Sequence, residues 1–325
     1  MFLLLSVTML VLSVLHYSMN NMSTNFKFQE LYDYATGIGC DCALNEEMCK
    51  NISFKTGGPC GVRLSPSTTE QLIDIVNKAN ALSVPFIILG NGTNVLVEDS
   101  GIDKAVIIIS SNMASTQLSG DEISFSAGTN LVNLCRLALE NSLSGLEFAF
   151  GIPGTCGGAI YMNAGAYGGE MRDLLTEITH LTPDMKIETI KAEDADLSYR
   201  HSVYKENGCI ILSAKVKLTP DVKENIKARM DDFLLRRKDK QPLEFPSAGS
   251  TFKRPEGYFA GALIEQCGLK GASVGGAQVS EKHAGFVINK GGASSNDIIE
   301  LMKLVSDTVK KETGVTLEPE VIILR

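Results

Sequence analysis

The sequence predicts an α+β protein, on three observations. Helical and strand-like segments mix without strict βαβ alternation, short strands crowd residues 176 to 220, and a long amphipathic helix followed by a strand closes the chain. At the start, MFLLLSVTMLVLSVLHYSM carries no charged side chain before Lys27 and reads as about fifteen apolar residues. That is short of the about twenty a membrane span needs, and it lacks the basic region and small-residue cleavage site of a signal peptide. Residues 1–21 are therefore set aside from the fold, as a weak anchor or a stretch ahead of a start at Met19 or Met22. In SPSTTEQLIDIVNKANALSVP, Ser67 and Glu70 form a capping box, and Leu72, Ile73, Val76 and Ala79 recur at helical spacing until Pro85 ends the helix. FIILG is a strand running into Gly90-Asn91-Gly92-Thr93-Asn94, and VLVED is another. AVIIIS and EISFSAG read together as a β-meander, and LVNLCRLALENSL as a second helix. EITHLT, KIETIKA and CIILSAKVKL are strands. Near residue 220 they give way to the charged helix KENIKARMDDFLLRRKDK, which marks a domain boundary. In the tail, Ser294 and Asp297 cap a helix lined by Ile298, Leu301, Met302, Val305 and Val309, Gly314 stops it, and LEPEVIIL is a final strand.

Composition limits the function classes. The 325 residues are 44% hydrophobic and 21% charged, ordinary for a globular protein with a sizeable core. A net charge of -8 argues against a broad electrostatic grip on nucleic acid, so an anionic ligand needs a local site. The eight cysteines are scattered, without CxxC pairs or disulfide-scaffold density, which points to a reducing, cytoplasmic compartment and no obligatory membrane contact.

Two glycine loops carry the chemistry. Residues 145–170, GLEFAFGIPGTCGGAIYMNAGAYGGE, hold eight glycines in twenty-six residues with neither a Gly-X-Y period nor a linker composition. So much bare backbone among apolar side chains suits a flat or charged ligand lying close to the chain. Gly90-Asn91-Gly92-Thr93-Asn94 follows a strand but lacks the third glycine and the helix of a dinucleotide fingerprint. Its amides, the Thr93 hydroxyl and Asn94 can still gather around phosphate oxygens, although a tight hairpin turn reads equally well. Gly151-Ile152-Pro153-Gly154-Thr155-Cys156-Gly157-Gly158 runs into AIYMNAG, a helical turn offering N–H groups to an anion. Two such loops in one domain imply a dinucleotide.

LGNGTNVLV, the glycine-rich segment, LSYRHS, PSAGSTFKRP, AGALIEQCGLKGASVGGAQVSEKHAGFVIN and the terminal LEPE resemble the MurB family, the UDP-N-acetylenolpyruvoylglucosamine reductases, over roughly residues 43–325. The resemblance implies an FAD-binding domain of the vanillyl-alcohol-oxidase (PCMH) type over 43–220, then a smaller α+β substrate domain over 221–325. FAD would lie along Gly90, Asn91, Gly92, Thr93 and Asn94 and along Gly151, Ile152, Pro153, Gly154, Thr155, Gly157 and Gly158. Thr93 stands where the family usually has Ser and keeps the hydroxyl. The reaction implied passes a hydride from NADPH to FAD and from reduced FAD to the double bond of UDP-N-acetylglucosamine enolpyruvate. The resulting enolate needs a cation and a proton donor. Arg200 matches the family's catalytic arginine, Ser250 its proton donor and Glu320 its third catalytic residue. By position alone Ser250 is as readily a turn hydroxyl beside Ser247 and Thr251, and Glu318, two residues from Glu320 and on the same strand face, is an equal candidate. Lys240 is placed to help the serine, and Tyr199 and Arg254 to bind substrate, with Arg254 and Lys253 near its diphosphate. No long insertion interrupts 259–272, which implies the shorter-lid type.

Other residues read as ordinary. Cys156 is a small filler rather than a flavin attachment point, and His16, His180, His201 and His283 have no metal-ligand spacing. Two further readings stay open: another flavin oxidase or dehydrogenase of the same superfamily, and a nucleotide-sugar or flavin-binding module without catalysis.

Overall fold

The computed structural model describes residues 26–325. The reading of residues 1–21 lies outside the described residues. Helix α1 runs over residues 26–37 and buries Phe28, Leu31 and Ala35, a helical spacing that gives it one apolar face. A four-stranded sheet follows, ordered Asp41–Leu44, Cys60–Ser65, Ile102–Ile108, Phe86–Leu89. Its first pair is antiparallel and the others are parallel. Helix α2 (Thr69–Ala81) is the crossover between Cys60–Ser65 and Phe86–Leu89, so this part contains a local βαβ unit.

Two expectations are corrected here. Thr68, not Ser67, is the N-cap of α2: its side chain accepts from the Gln71 amide, while Ser67 bonds the Gln71 side chain. Ile102–Ile108 does not join a meander with Glu122–Ser126 but sits at the centre of the parallel part of the first sheet. Its reason is burial on both faces. Ala105 and Ile107 point into one core with Val62 and Leu64, whereas Val106 and Ile108 point into another, so the strand reads as an unbroken apolar run.

The second sheet is antiparallel and five-stranded, ordered Ile187–Lys191, Leu175–Leu181, Ile210–Lys217, Glu122–Ser126, Thr116–Ser119. Helix α3 (Leu131–Glu140) and the short α4 (Cys156–Tyr161) pack into its core. Helix α5 (Lys223–Lys240) buries Ile226 and Met230 in that same core. The remainder of the chain carries α6 (Ala260–Gln266), a three-stranded sheet and α7 (Ser295–Thr313), whose Ser294–Asp297 capping box and left-handed Gly314 stand as read from the sequence.

The second core is what positions the site. It joins Val95, Leu96 and Val97 after the first glycine loop to Ala248, Phe252, Leu263, Val287 and α7. The last strand, Ile322–Leu324, lies parallel to Val95–Val97. The end of the chain is thereby fixed beside residues 90–97. All eight cysteines are free thiols, and among the described residues no helix is long and apolar enough to cross a membrane.

Candidate active site

Arg200 occupies a tight turn closed by reciprocal backbone bonds between Ser198 and His201 and has φ 56°. That left-handed conformation is costly for a residue with a Cβ. The Lys205 ammonium donates to the Arg200 carbonyl at 2.7 Å and helps hold it. From this turn the Arg200 Nε donates to Glu320 Oε1 at 2.6 Å, and its Nη2 to the Gly165 carbonyl at 3.4 Å. The pair is well covered, with 21% and 11% of the two side chains exposed. Burial raises the Glu320 carboxyl above the usual carboxylate range, against the pull of Arg200.

Glu320 is reached through a short antiparallel ladder. Its amide donates to the Thr251 carbonyl at 2.8 Å, and the Lys253 amide donates to the Glu318 carbonyl. The ladder sets residues 318–320 beside 251–253, immediately after Ser250. The two carboxylates that the sequence left equivalent part company here. Glu318 is 70% exposed and pairs with Lys253 at 3.2 Å, while Glu320 faces Arg200. Thr251 is fully buried, and its hydroxyl accepts from the Val287 amide at 2.8 Å. Ser250, one residue earlier, is exposed at the cleft and follows Gly249, whose φ of 76° makes the turn.

Arg200, Glu320 and Ser250 line one cleft of about 420 Å³ together with Tyr199, Lys240 and Arg254. Six of the seven residues singled out for catalysis and substrate binding thus meet in one place, from segments far apart in the chain; Lys253 is not among the residues lining the cleft and pairs instead with Glu318. Tyr199 Oη accepts from the Arg254 amide at 3.0 Å, and the Arg254 guanidinium lies 3.9 Å from the centre of the Phe259 ring. Phe259, Glu265 and Lys282 also line this cleft and went unnoticed in the sequence, and His283, read there as ordinary, lines it too. Phe259 is 62% exposed, and neither spacing nor pattern marks such a side chain as part of a site.

The two glycine loops are stitched together. Thr93 Oγ1 donates to the Pro153 carbonyl at 3.1 Å, and Asn91 Nδ2 to Asn130 Oδ1 at 2.9 Å. Asn94 Nδ2 donates to the Glu320 carbonyl at 3.2 Å, linking the first loop to the Arg200–Glu320 pair. Close protein packing accounts for part of the glycine content. A side chain at Gly90 would collide with Thr155, at Gly92 with the Asn51 carbonyl, and at Gly157 with Ala127. Thr155 is buried and caps α4 by accepting from the Gly158 amide, so its hydroxyl serves the fold. Ile152 packs on the first core. Gly151, Gly154 and Gly158 are the less crowded members, the first two at positive φ.

A second cleft, of about 700 Å³, runs along these loops and is lined by Gly90, Asn91, Pro153, Asn51, Ser53 and Ile108. Lys50 and Lys55 stand at its side. Among the described residues two buried side-chain nitrogens lack a partner, Asn51 Nδ2 in this cleft and Arg237 Nε beside Gly151. Buried donors without acceptors are costly, and both flank the glycine loops. An acceptor-rich anion such as the diphosphate and flavin of FAD fits that donor set. Cys156 is fully buried, and burial raises its thiol well above the usual range, as befits a filler.

Comparison with known proteins agrees with this geometry. Residues 61–191 match the family described as an FAD binding domain, and residues 241–324 match the C-terminal domain of UDP-N-acetylenolpyruvoylglucosamine reductase. The reductase of that name from Syntrophomonas wolfei is 46% identical, across 86% of this chain and 94% of that protein. The one from Agathobacter rectalis is 48% identical, across 85% and 92%. The crystal structure of MurB from Thermus caldophilus superposes with a TM-score of 0.75 at 34% identity, covering 88% of this chain and 99% of that one. The α+β fold is accordingly an FAD-binding domain of the PCMH type joined to the C-terminal domain of these reductases. The chain belongs to the UDP-N-acetylenolpyruvoylglucosamine reductase (MurB) family.

Proposed function

We propose that this chain is the FAD-dependent enzyme that reduces UDP-N-acetylglucosamine enolpyruvate to UDP-N-acetylmuramate with NADPH, a cytoplasmic step of peptidoglycan precursor synthesis. Family membership supports the activity, and the meeting of Arg200, Glu320 and Ser250 in one cleft is the observation that carries its assignment to residues. In this reading residues 43–220 form the FAD-binding unit and 221–325 the substrate-binding unit; the two family matches, over 61–191 and 241–324, support two units, while α5 between them packs on the core of the first.

FAD, when bound, would supply the hydride chemistry between NADPH and the enolpyruvyl double bond. Gly90, Asn91, Gly92, Thr93 and Asn94 with Gly151, Ile152, Pro153, Gly154, Thr155, Gly157 and Gly158 would hold that cofactor, Thr155 by its backbone since its hydroxyl caps α4, and Asn51 would add an unsatisfied donor. Arg200 meets the charge that grows on the substrate carboxylate and enolate, with the planar donor fork that such oxygens need. Glu320 fixes the guanidinium through the 2.6 Å bond. Ser250 Oγ delivers the proton to the enolate carbon, and Lys240 in the same cleft steadies the alkoxide left behind. Tyr199 and Arg254 hold the nucleotide-sugar diphosphate at the rim.

The two halves of the cycle separate the roles. In Ser250→Ala, NADPH bleaches the flavin at the parent rate, whereas reoxidation by UDP-N-acetylglucosamine enolpyruvate slows by about 10²- to 10⁴-fold, the range of a lost general acid. Stopped-flow absorbance reads both halves. Reoxidation at the parent rate would remove Ser250 from its role.

A further inference from the structure

Arg200 carries its side chain from a backbone position better suited to glycine. Its φ of 56° is left-handed, and from there the guanidinium reaches both Glu320 and the Gly165 carbonyl. A residue in that conformation keeps it only where its neighbours over-determine it. Three side chains around the turn do so. Asn163, fully buried, donates from its side chain to the Ser198 carbonyl at 2.9 Å, and its side-chain oxygen accepts from the Arg172 amide. Ser202 Oγ, also buried, donates to the Tyr161 carbonyl at 2.7 Å. Lys205 Nζ donates at 2.7 Å to the carbonyl of Arg200 itself, which receives no other hydrogen bond among the described residues.

The place is unfavourable for a cation. Lys205 is only partly exposed, its Nζ lies 5.8 Å from the centre of the Tyr161 ring, and the other two cations around Glu320, Lys253 and Arg200, are near enough to repel it. Burial and that repulsion hold the ammonium below the ordinary lysine range, with Glu320 pulling the other way. Lys253 has a carboxylate of its own in Glu318, at 3.2 Å. Lys205 is bonded instead to a peptide oxygen, and it is not among the residues that line the cleft, so it reaches the site through Arg200. The length of the arginine side chain gives such a bond its purpose. A guanidinium sits several bonds from its Cα, so a small rotation of the peptide swings it away from Glu320 and Gly165. Donors stabilise developing charge only when they are already aimed, and a misplacement of about 1 Å costs about 10²-fold in rate. An ammonium, charged and with three donors, holds a carbonyl more firmly than a neutral hydroxyl or amide does.

Resting on the reading of Arg200 as the group that meets the enolate charge, we propose that Lys205 is a positioning residue for reduction of the substrate. Its ammonium pins the Arg200 carbonyl in the left-handed turn, so that the guanidinium is aimed before charge develops on the enolpyruvyl group. Asn163 and Ser202 fasten the turn to residues 161–163, and Lys205 fixes the one peptide within it that carries the arginine side chain.

The test uses the purified FAD-loaded enzyme and its K205M, K205R, R200M and R200M/K205M variants. Stopped-flow absorbance follows flavin reduction by NADPH and reoxidation by UDP-N-acetylglucosamine enolpyruvate. A parent enzyme that this substrate does not reoxidise would overturn the activity itself, and an R200M variant reoxidised at the parent rate would overturn the reading of Arg200; either result removes the ground for Lys205. In K205M the flavin is expected to be reduced at the parent rate, while reoxidation at saturating substrate slows by about 10- to 10²-fold. K205R, which keeps a charged donor, recovers most of that loss. In the R200M background the same Lys205→Met change slows reoxidation by less than about twofold, because residues that act as one unit are not additive. Reoxidation of K205M at the parent rate overturns the proposal. A loss of undiminished size in the R200M background also overturns it, because Lys205 would then act apart from Arg200. Equal slowing of both halves overturns it too and leaves a structural lysine. Circular dichroism melting checks that K205M is folded; where it is not, Lys205→Leu carries the same readouts.

Discussion

Glu320 is the residue at which burial and pairing oppose each other most plainly. Burial raises its carboxyl, and Arg200, Lys205 and Lys253 pull it back down without restoring the usual value. The folded chain therefore binds this proton more tightly than the unfolded chain does. The resulting stability is full below the unfolded value of about 4.3 and is lost as pH rises through the higher folded value. In Glu320→Gln that dependence disappears. The variant-minus-parent difference in melting temperature should grow as pH rises from about 4 into the raised range, measured by circular dichroism in matched buffers; a flat or shrinking difference would contradict the raised carboxyl. At this scale the sequence was legible only through long motifs. Spacing cannot separate Glu318 from Glu320, because the ladder at residues 251–253 that turns one outward and the other toward Arg200 is a tertiary contact. Arg237 was illegible for a related reason, since either arginine in the basic run RRKDK reads as part of a solvated helix end.

Single elements were read well where local chemistry decides them. The Ser294–Asp297 cap and Gly314 define α7 by themselves, and Phe86–Leu89 and Leu175–Leu181 follow from apolar runs and alternation. The start of α2 shifted by one residue because Ser67 and Thr68 are both good caps, and only the side chain facing the Gln71 amide serves. Strand partners were harder. An unbroken apolar strand such as Ile102–Ile108 announces burial on both faces but not its neighbours. The attachment of α5 is a case where an element depends on ions. Arg229 donates to Glu147 at 3.0 and 2.7 Å and to Asp221, tying the helix to the segment before the glycine loop. Glu147 is 6% exposed, and burial tends to raise it, yet the Arg229 and backbone bonds hold it below the usual range. Its contribution is therefore present above pH 4.3 and is lost as pH falls through the lower folded value. Arg229→Met, which strands this buried carboxylate, should cost about 2 kcal/mol at pH 7 by denaturant titration, with the loss shrinking in acid. Equal costs at pH 7 and in acid would show that the arginine acts only through packing.

Across the whole molecule, the site is held by contacts between residues 320–324 at the C-terminus and residues 94–97. Asn94 bonds the Glu320 carbonyl, the Ile322 amide bonds the Asn94 carbonyl, and Ile322–Leu324 extends beside Val95–Val97. Glu320 and the first glycine loop therefore share one anchor, the C-terminal strand, and neither is fixed by local sequence alone. Its parallel pairing joins segments more than two hundred residues apart, which is why no reading of periodicity reveals it. Removing residues 322–325 leaves Arg200, Ser250 and Glu320 in the chain but takes away that anchor and part of the second core. Lost ladder bonds and apolar burial should together cost roughly 3 kcal/mol or more, a fall in melting temperature of roughly 5–10 °C. The decisive readout is the cofactor. If the anchor holds the loop, the truncated protein purifies with little FAD and recovers less on titration, because the Asn94 end of the loop is free to leave the position set by Val95–Val97. A truncated protein that binds FAD as tightly as the parent, while reoxidising slowly with substrate, would place the strand's effect on Glu320 alone and separate two features that the fold joins.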